Sequence, residues 1–68
     1  MKVWIITSEE TSNGELTNEK ETHYSVVDVF DDEIKANKEL KRLERNIERD
    51  KGYFTTGLYY YLDYFDVK

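Results

Sequence analysis

Sixty-eight residues without a cysteine can build one small domain, and they exclude both a disulfide staple and a thiolate metal site. The formal net charge of -5 disfavours direct binding to a nucleic-acid backbone and favours encounter with basic proteins. No apolar run approaches the roughly 18 residues that a membrane span requires, so the expectation is a cytoplasmic protein without a membrane partner, as the missing cysteines also suggest.

The charge is uneven. Asp31 to Lys51 holds seven acids and seven bases, so the deficit falls on the rest of the chain, where eight acids face only Lys2, Lys20 and Lys68. A chain this short sits near zero on the balance of burial against chain entropy. A second copy or a partner would therefore help it.

Lys2 to Ser8 is a β-branched and aromatic run that reads as the first strand, with Val3, Ile5 and Thr7 on one face and Trp4, Ile6 and Ser8 on the other. It opens as a strand rather than as a signal peptide. Glu9 to Thr22 carries five glutamates and reads as a long acidic loop, either solvated or serving as an arm that docks on a basic partner. Asn13-Gly14 is the best turn dipeptide. A two-residue hairpin there would set Trp4 opposite His23 and Ile5 opposite Thr22, so a longer loop or a bulge is needed to restore the register. The spacing of a calcium loop is missing.

His23 to Phe30 is the second strand. Asp31 or Asp32 then supplies a helix N-cap, with Glu33 at the positive helix end. Ala36, Leu40, Leu43 and Ile47 form one apolar stripe at helical spacing between Asp32 and about Asp50. Such a helix spans roughly 28 Å and matches an eight-residue strand of roughly 26 Å. Gly52 is the stop, and Tyr53 to Gly57 is the return loop.

The last strand, Leu58 to Val67, holds four of the six tyrosines and is apolar at odd and even positions alike. Successive side chains on a strand point to opposite faces, so both of its faces are adhesive. Leu58, Tyr60, Leu62 and Tyr64 are assigned to the helix side. Tyr59, Tyr61, Asp63, Phe65 and Val67 are assigned to the open side, because a mid-strand charge belongs away from a core. By the same reasoning Asp28 carries Tyr24 and Val26 to the open side, and Trp4 and Ile6 complete the patch.

The expected architecture is α+β: residues 1–68 form a single ββαβ domain with a three-stranded sheet of order 2-1-3 and one helix on one face. Lys2-Val3-Trp4-Ile5, Val29-Phe30-Asp31 running into an acidic helix start with Ala36, and Tyr61-x-Asp63-x-Phe65-x-Val67 resemble a family of short uncharacterised bacterial and phage domains. The resemblance spans most of the chain and implies this fold. The family has no assigned activity, so nothing about function follows. The glutamate-rich loop and the three consecutive tyrosines depart from its pattern.

Candidate chemistry is sparse. His23 is the single histidine, and one imidazole cannot make a metal site by itself. Ser8, Ser12 and Ser25 lack a nucleophile-elbow setting, and Gly14, Gly52 and Gly57 are isolated rather than a phosphate-binding loop. Asp28, Asp63 and Asp66 could meet across strands, but they supply few oxygens for a hard cation.

The expected function is therefore a non-catalytic, cofactor-free binding module. Its protein-binding face comprises Trp4, Tyr24, Asp28, Tyr59, Tyr61, Asp63 and Phe65, and its partner is a protein with a basic surface. Open-sheet aromatics also stack bases in RNA-binding domains, which the acidic surroundings disfavour here. The lysine, asparagine, glutamate and tyrosine bias suggests a low-GC bacterium or its phage, and hence a stoichiometric inhibitor of a host nucleic-acid-binding defence protein. The alternative is a structural homodimer with two sheets packed face to face and no foreign target.

Overall fold

The most sustained β-branched run takes the middle of the sheet. In the computed structural model, which describes residues 1–13, 20–52 and 55–67, that run is β1, Lys2–Asn13. It is flanked by β2, Lys20–Phe30, and β3, Thr55–Asp66, in the order β2-β1-β3. Both neighbours run antiparallel to β1. Between β2 and β3 the chain forms helix α1, Glu33–Arg45, and a single further turn, α2, Ile47–Asp50. The protein is thus the expected α+β fold, a three-stranded sheet with a helix packed on one face.

The helix begins where its capping chemistry dictates. Asp32 is extended, at φ -135° and ψ 121°, and its Oδ1 accepts from the N–H groups of Ile34 at 2.8 Å and Lys35 at 3.4 Å. These are two of the four donors that a helix start leaves without partners. Glu33 in the first turn and Arg42 and Arg45 in the last complement the helix dipole.

The expected uninterrupted helix to Asp50 is broken at Asn46, where φ is -101° and ψ is 8°. Its N–H turns to Leu43 O at 3.1 Å. Asparagine competes poorly for the interior of a helix. The stripe survives the break: Ala36 and Leu43 are buried, and Leu40 and Ile47 are half-buried. With Ile6 and Leu58 on the sheet they form the core, and Ile6 is 0% exposed.

Two expectations about length are corrected. Glu9–Asn13 and Lys20–Thr22 are not loop but strand, with Glu9 opposite Tyr24 and Tyr59, and Thr11 opposite Thr22 and Gly57. β3 likewise starts at Thr55 rather than Leu58. A polar segment lying between two neighbours gains ladder bonds on both sides, and this context overrides weak local propensity. Gly14 and Leu16 of the acidic segment, and Tyr53 and Phe54 of the return loop, lie outside the described residues.

The second correction follows from the first. A strand of 12 residues is about 40 Å long, whereas the 13 residues of α1 span about 20 Å. The helix therefore covers about half of one sheet face. The molecule is accordingly flat, measuring 46 × 26 × 10 Å.

Candidate functional site

The face turned away from α1 is built by strand alternation alone. Ile6 is buried on the helix side, so Val3, Ile5, Thr7 and Glu9 point the other way. Pairing extends each of them across the sheet. Val3 lies beside Phe65, Ile5 between Val29 and Asp63, Thr7 between Val26 and Tyr61, and Glu9 between Tyr24 and Tyr59. Tyr24, Tyr59, Tyr61, Asp63 and Phe65 come together on this open face, as expected.

Trp4 and Asp28 do not join them. Trp4 pairs with Tyr64 and Ile6 with Leu62, members of the β3 set that faces the helix. Both face sets of β1 are apolar, but Trp4 and Ile6 are the bulkier pair; Ile6 is buried beneath the helix and Trp4 is half-buried on the same side. Trp4 lines a shallow pocket of about 130 Å³ with Lys2, Glu33 and Tyr64. The Lys2 ammonium stands 5.5 Å from the centre of the Tyr64 ring.

Asp28 is displaced by a bulge. Ile6 pairs with Asp28 but Thr7 pairs with Val26, which leaves Val27 as the extra residue. The extra residue reverses the alternation, so Tyr24 and Val26 face one side and Asp28 the other. Asp28 Oδ1 accepts instead from the Val29 N–H at 2.8 Å. The three aspartates considered for a cation consequently separate: Asp63 is on the open face, Asp28 on the helix side, and Asp66 beside the N-terminal amine at 3.9 Å. No group of three or more metal-ligating side chains forms among the described residues.

The centre of the open face is a polar bridge that the sequence reading missed. Tyr24 donates its hydroxyl to Glu9 Oε1 at 2.9 Å, and Tyr61 donates to Glu9 Oε2 at 2.6 Å. One carboxylate on the middle strand thus ties together tyrosines from both outer strands. Tyr24 is directly opposite Glu9 and Tyr61 is diagonal to it, both within reach of a long side chain. The two donors, Tyr61 first, hold the Glu9 carboxyl below its ordinary value of 4.5. Reciprocally, hydrogen bonding to Glu9 pushes Tyr24 and Tyr61 above 10.0. Glu9 would have been identified had β1 been extended through it, because its odd number places it with Val3, Ile5 and Thr7.

At the far end of the face, the Tyr59 ring folds back over Gly57. A Cβ at Gly57 would stand 3.4 Å from Tyr59 Cε2.

The face is aromatic, aliphatic and acidic. Tyr24, Val26, Tyr59, Tyr61 and Phe65 are each 46 to 66% exposed. Glu9 and Asp63 are its central charges, and Lys20 stands at the rim opposite Asn13. Such a surface offers aromatic anchors and acceptor oxygens to a partner. No helix among the described residues is long and apolar enough to cross a membrane. Comparison with protein-family models, with curated proteins and with solved structures finds no match to this chain.

Proposed function

We propose that this protein is a non-catalytic cytoplasmic binding module that presents its open sheet face to a protein with a basic surface. The observation that carries the reading is the continuous exposure of Tyr24, Val26, Tyr59, Tyr61 and Phe65 on one face of a very small domain. Tyrosine and other aromatics are the residue types that anchor interfaces. Glu9 and Asp63 at the centre, together with the net charge of -5, select a basic partner. A groove that ordinarily holds nucleic acid is the complementary surface. The finer reading is therefore a stoichiometric inhibitor, phage-encoded, of a host nucleic-acid-binding defence protein.

The test is capture from host lysate on wild type and on Tyr59→Ser/Phe65→Ser, followed by binding measurements with the purified captured protein. Loss of about 2 kcal/mol or more per anchor is expected, as is competition by nucleic acid. Equal binding by the variant removes the face as the interface. The small core favours a second reading, a face-to-face homodimer, since the buried hydrophobic residues described are Ile6, Ala36, Leu43 and Leu58. In that case the wild type would be dimeric, the double variant monomeric, and no foreign protein would compete.

A further inference from the structure

The two edges of the sheet are not alike. Met1 and Val67 exchange both backbone bonds: the Val67 N–H donates to Met1 O at 2.6 Å, and the Met1 amine to Val67 O at 3.4 Å. In an antiparallel ladder such pairs alternate with pairs whose backbone groups point away. The β1–β3 register runs without a shift from Lys2–Asp66 to Thr11–Gly57. Odd-numbered residues of β3 therefore bond to β1, while Leu58, Tyr60, Leu62, Tyr64 and Asp66 direct N–H and C=O outward. None of the turn, cap or side-chain hydrogen bonds among the described residues uses these outward groups.

The β2 edge is blunted by contrast. By the same alternation the Val29 N–H points outward, and Asp28 Oδ1 already occupies it at 2.8 Å. The extra residue Val27 interrupts the ladder beside it, and Lys20 begins the strand. A capping carboxylate, a bulge and a lysine are the devices by which sheets refuse further strands. β3 has no proline, no lysine and no bulge between Leu58 and Asp66.

We propose that the β3 edge pairs with the β3 edge of a second copy, antiparallel about a two-fold axis at Leu62, to give one continuous six-stranded sheet. Leu62 is the midpoint of the five outward-facing residues, so this register pairs all of them. It sets Leu58 opposite Asp66, Tyr60 opposite Tyr64, Tyr59 opposite Phe65 and Tyr61 opposite Asp63. No acid stands directly opposite another. The nearest like charges are the two copies of Asp63, diagonal at roughly 7–8 Å, about one Debye length at physiological salt, so their repulsion is weakened. Sliding the register by one outward residue in the C-terminal direction would set the two copies of Asp63 directly opposite each other and would pair fewer outward residues. A two-fold axis perpendicular to the sheet puts both helices on one side and merges the two open faces on the other. The pairing uses backbone at the edge, so it stands independently of what the open face binds.

Amide hydrogen exchange over a dilution series, alongside sedimentation, tests this on the unmodified chain. In a dimer paired at this edge, the amides of Leu58, Tyr60, Leu62, Tyr64 and Asp66 slow by about tenfold or more as concentration rises, while Val29 and Tyr24 on the β2 edge do not change. A dimer whose even-numbered β3 amides still exchange freely overturns the proposal in favour of face-to-face packing. A monomer at every concentration overturns it outright. As a second arm, Tyr64→Pro removes an outward N–H without breaking a bond to β1. It is expected to stay folded by circular dichroism and to sediment as a monomer. A folded Tyr64→Pro protein that still dimerises with protected edge amides would also overturn the proposal.

Discussion

The two faces of this sheet are made from the same three strands and are about equally apolar, yet one is a core and the other is a surface. On the helix side, Ile6 and Leu58 meet Ala36 and Leu43, and all four are buried. On the open side Val26, Val29, Tyr59 and Phe65 lie on the same strands and each remains at least half exposed. The difference is therefore not composition but the presence of one amphipathic helix. Burial converts apolar area into stability at about 25 cal/mol per Å², and area left in water contributes nothing until something covers it. In so small a domain the covered face holds the fold, and the uncovered face is available for association.

The largest expected effect lies in the covered face. Ile6→Ala or Leu43→Ala should cost about 2–5 kcal/mol, enough to unfold a domain of this size. Urea or thermal melts decide it. Curves that overlay the wild type would mean that the core is not where these residues meet. The next effect tests how the helix is held over that face. Asp32→Ala removes the acceptor for the Ile34 and Lys35 N–H groups and should cost about 1 kcal/mol, while Asp31→Ala, whose side chain caps nothing among the described residues, should cost far less. Equal losses for the two would show that local charge, not capping, is at work.

On the open face the same kind of truncation should be mild. Phe65→Ser loses a cross-strand contact with Val3 and little else, so a cost of about 0.2–1 kcal/mol is expected. If chemical denaturation places Phe65→Ser beside Ile6→Ala, the contrast between the faces collapses and the open face is covered in solution. A gel shift completes the contrast: the open face should not hold DNA or RNA at physiological salt, and micromolar binding that weakens steeply with salt would contradict that.

What the sequence made legible follows from how local each signal is. The stripe Ala36–Leu40–Leu43–Ile47, the Asp32 cap and the sheet order come from short-range pattern and connection rules, and the structure has them. The faces of β1 were misread because Val3 and Ile5 are nearly as apolar as Trp4 and Ile6; parity is settled only by pairing with Leu62 and Tyr64 on a strand more than fifty residues away. The side of Asp28 was misread because the bulge at Val27 has no glycine to announce it. Glu9 was hidden because strand continuation through Glu9–Asn13 depends on two neighbours rather than on its own residues. Long-range register is the part of this fold that composition and periodicity do not encode.

The smallest effect concerns the Glu9 bridge on the open face, and its sign can be worked out. Glu9 accepts from Tyr24 and Tyr61, so its folded pKa is lowered below the ordinary 4.5. A lowered carboxylate contributes stability at pH values above its unfolded pKa and loses it as pH falls through the folded one. Tyr24 and Tyr61 are raised above 10.0 by the same hydrogen bonds. Their contribution is present below that pH and is lost as pH rises through the folded values, when two phenolates would face a carboxylate. The stability difference between wild type and Glu9→Gln should therefore be flat between these limits and shrink toward both extremes. Because the groups are solvated, the difference should be small and should diminish with salt. Denaturation of both proteins at matched acid, neutral and alkaline pH measures it, since all other carboxylates cancel in the comparison. A difference that does not change with pH would mean that the bridge from Glu9 to Tyr24 and Tyr61 does not form in solution.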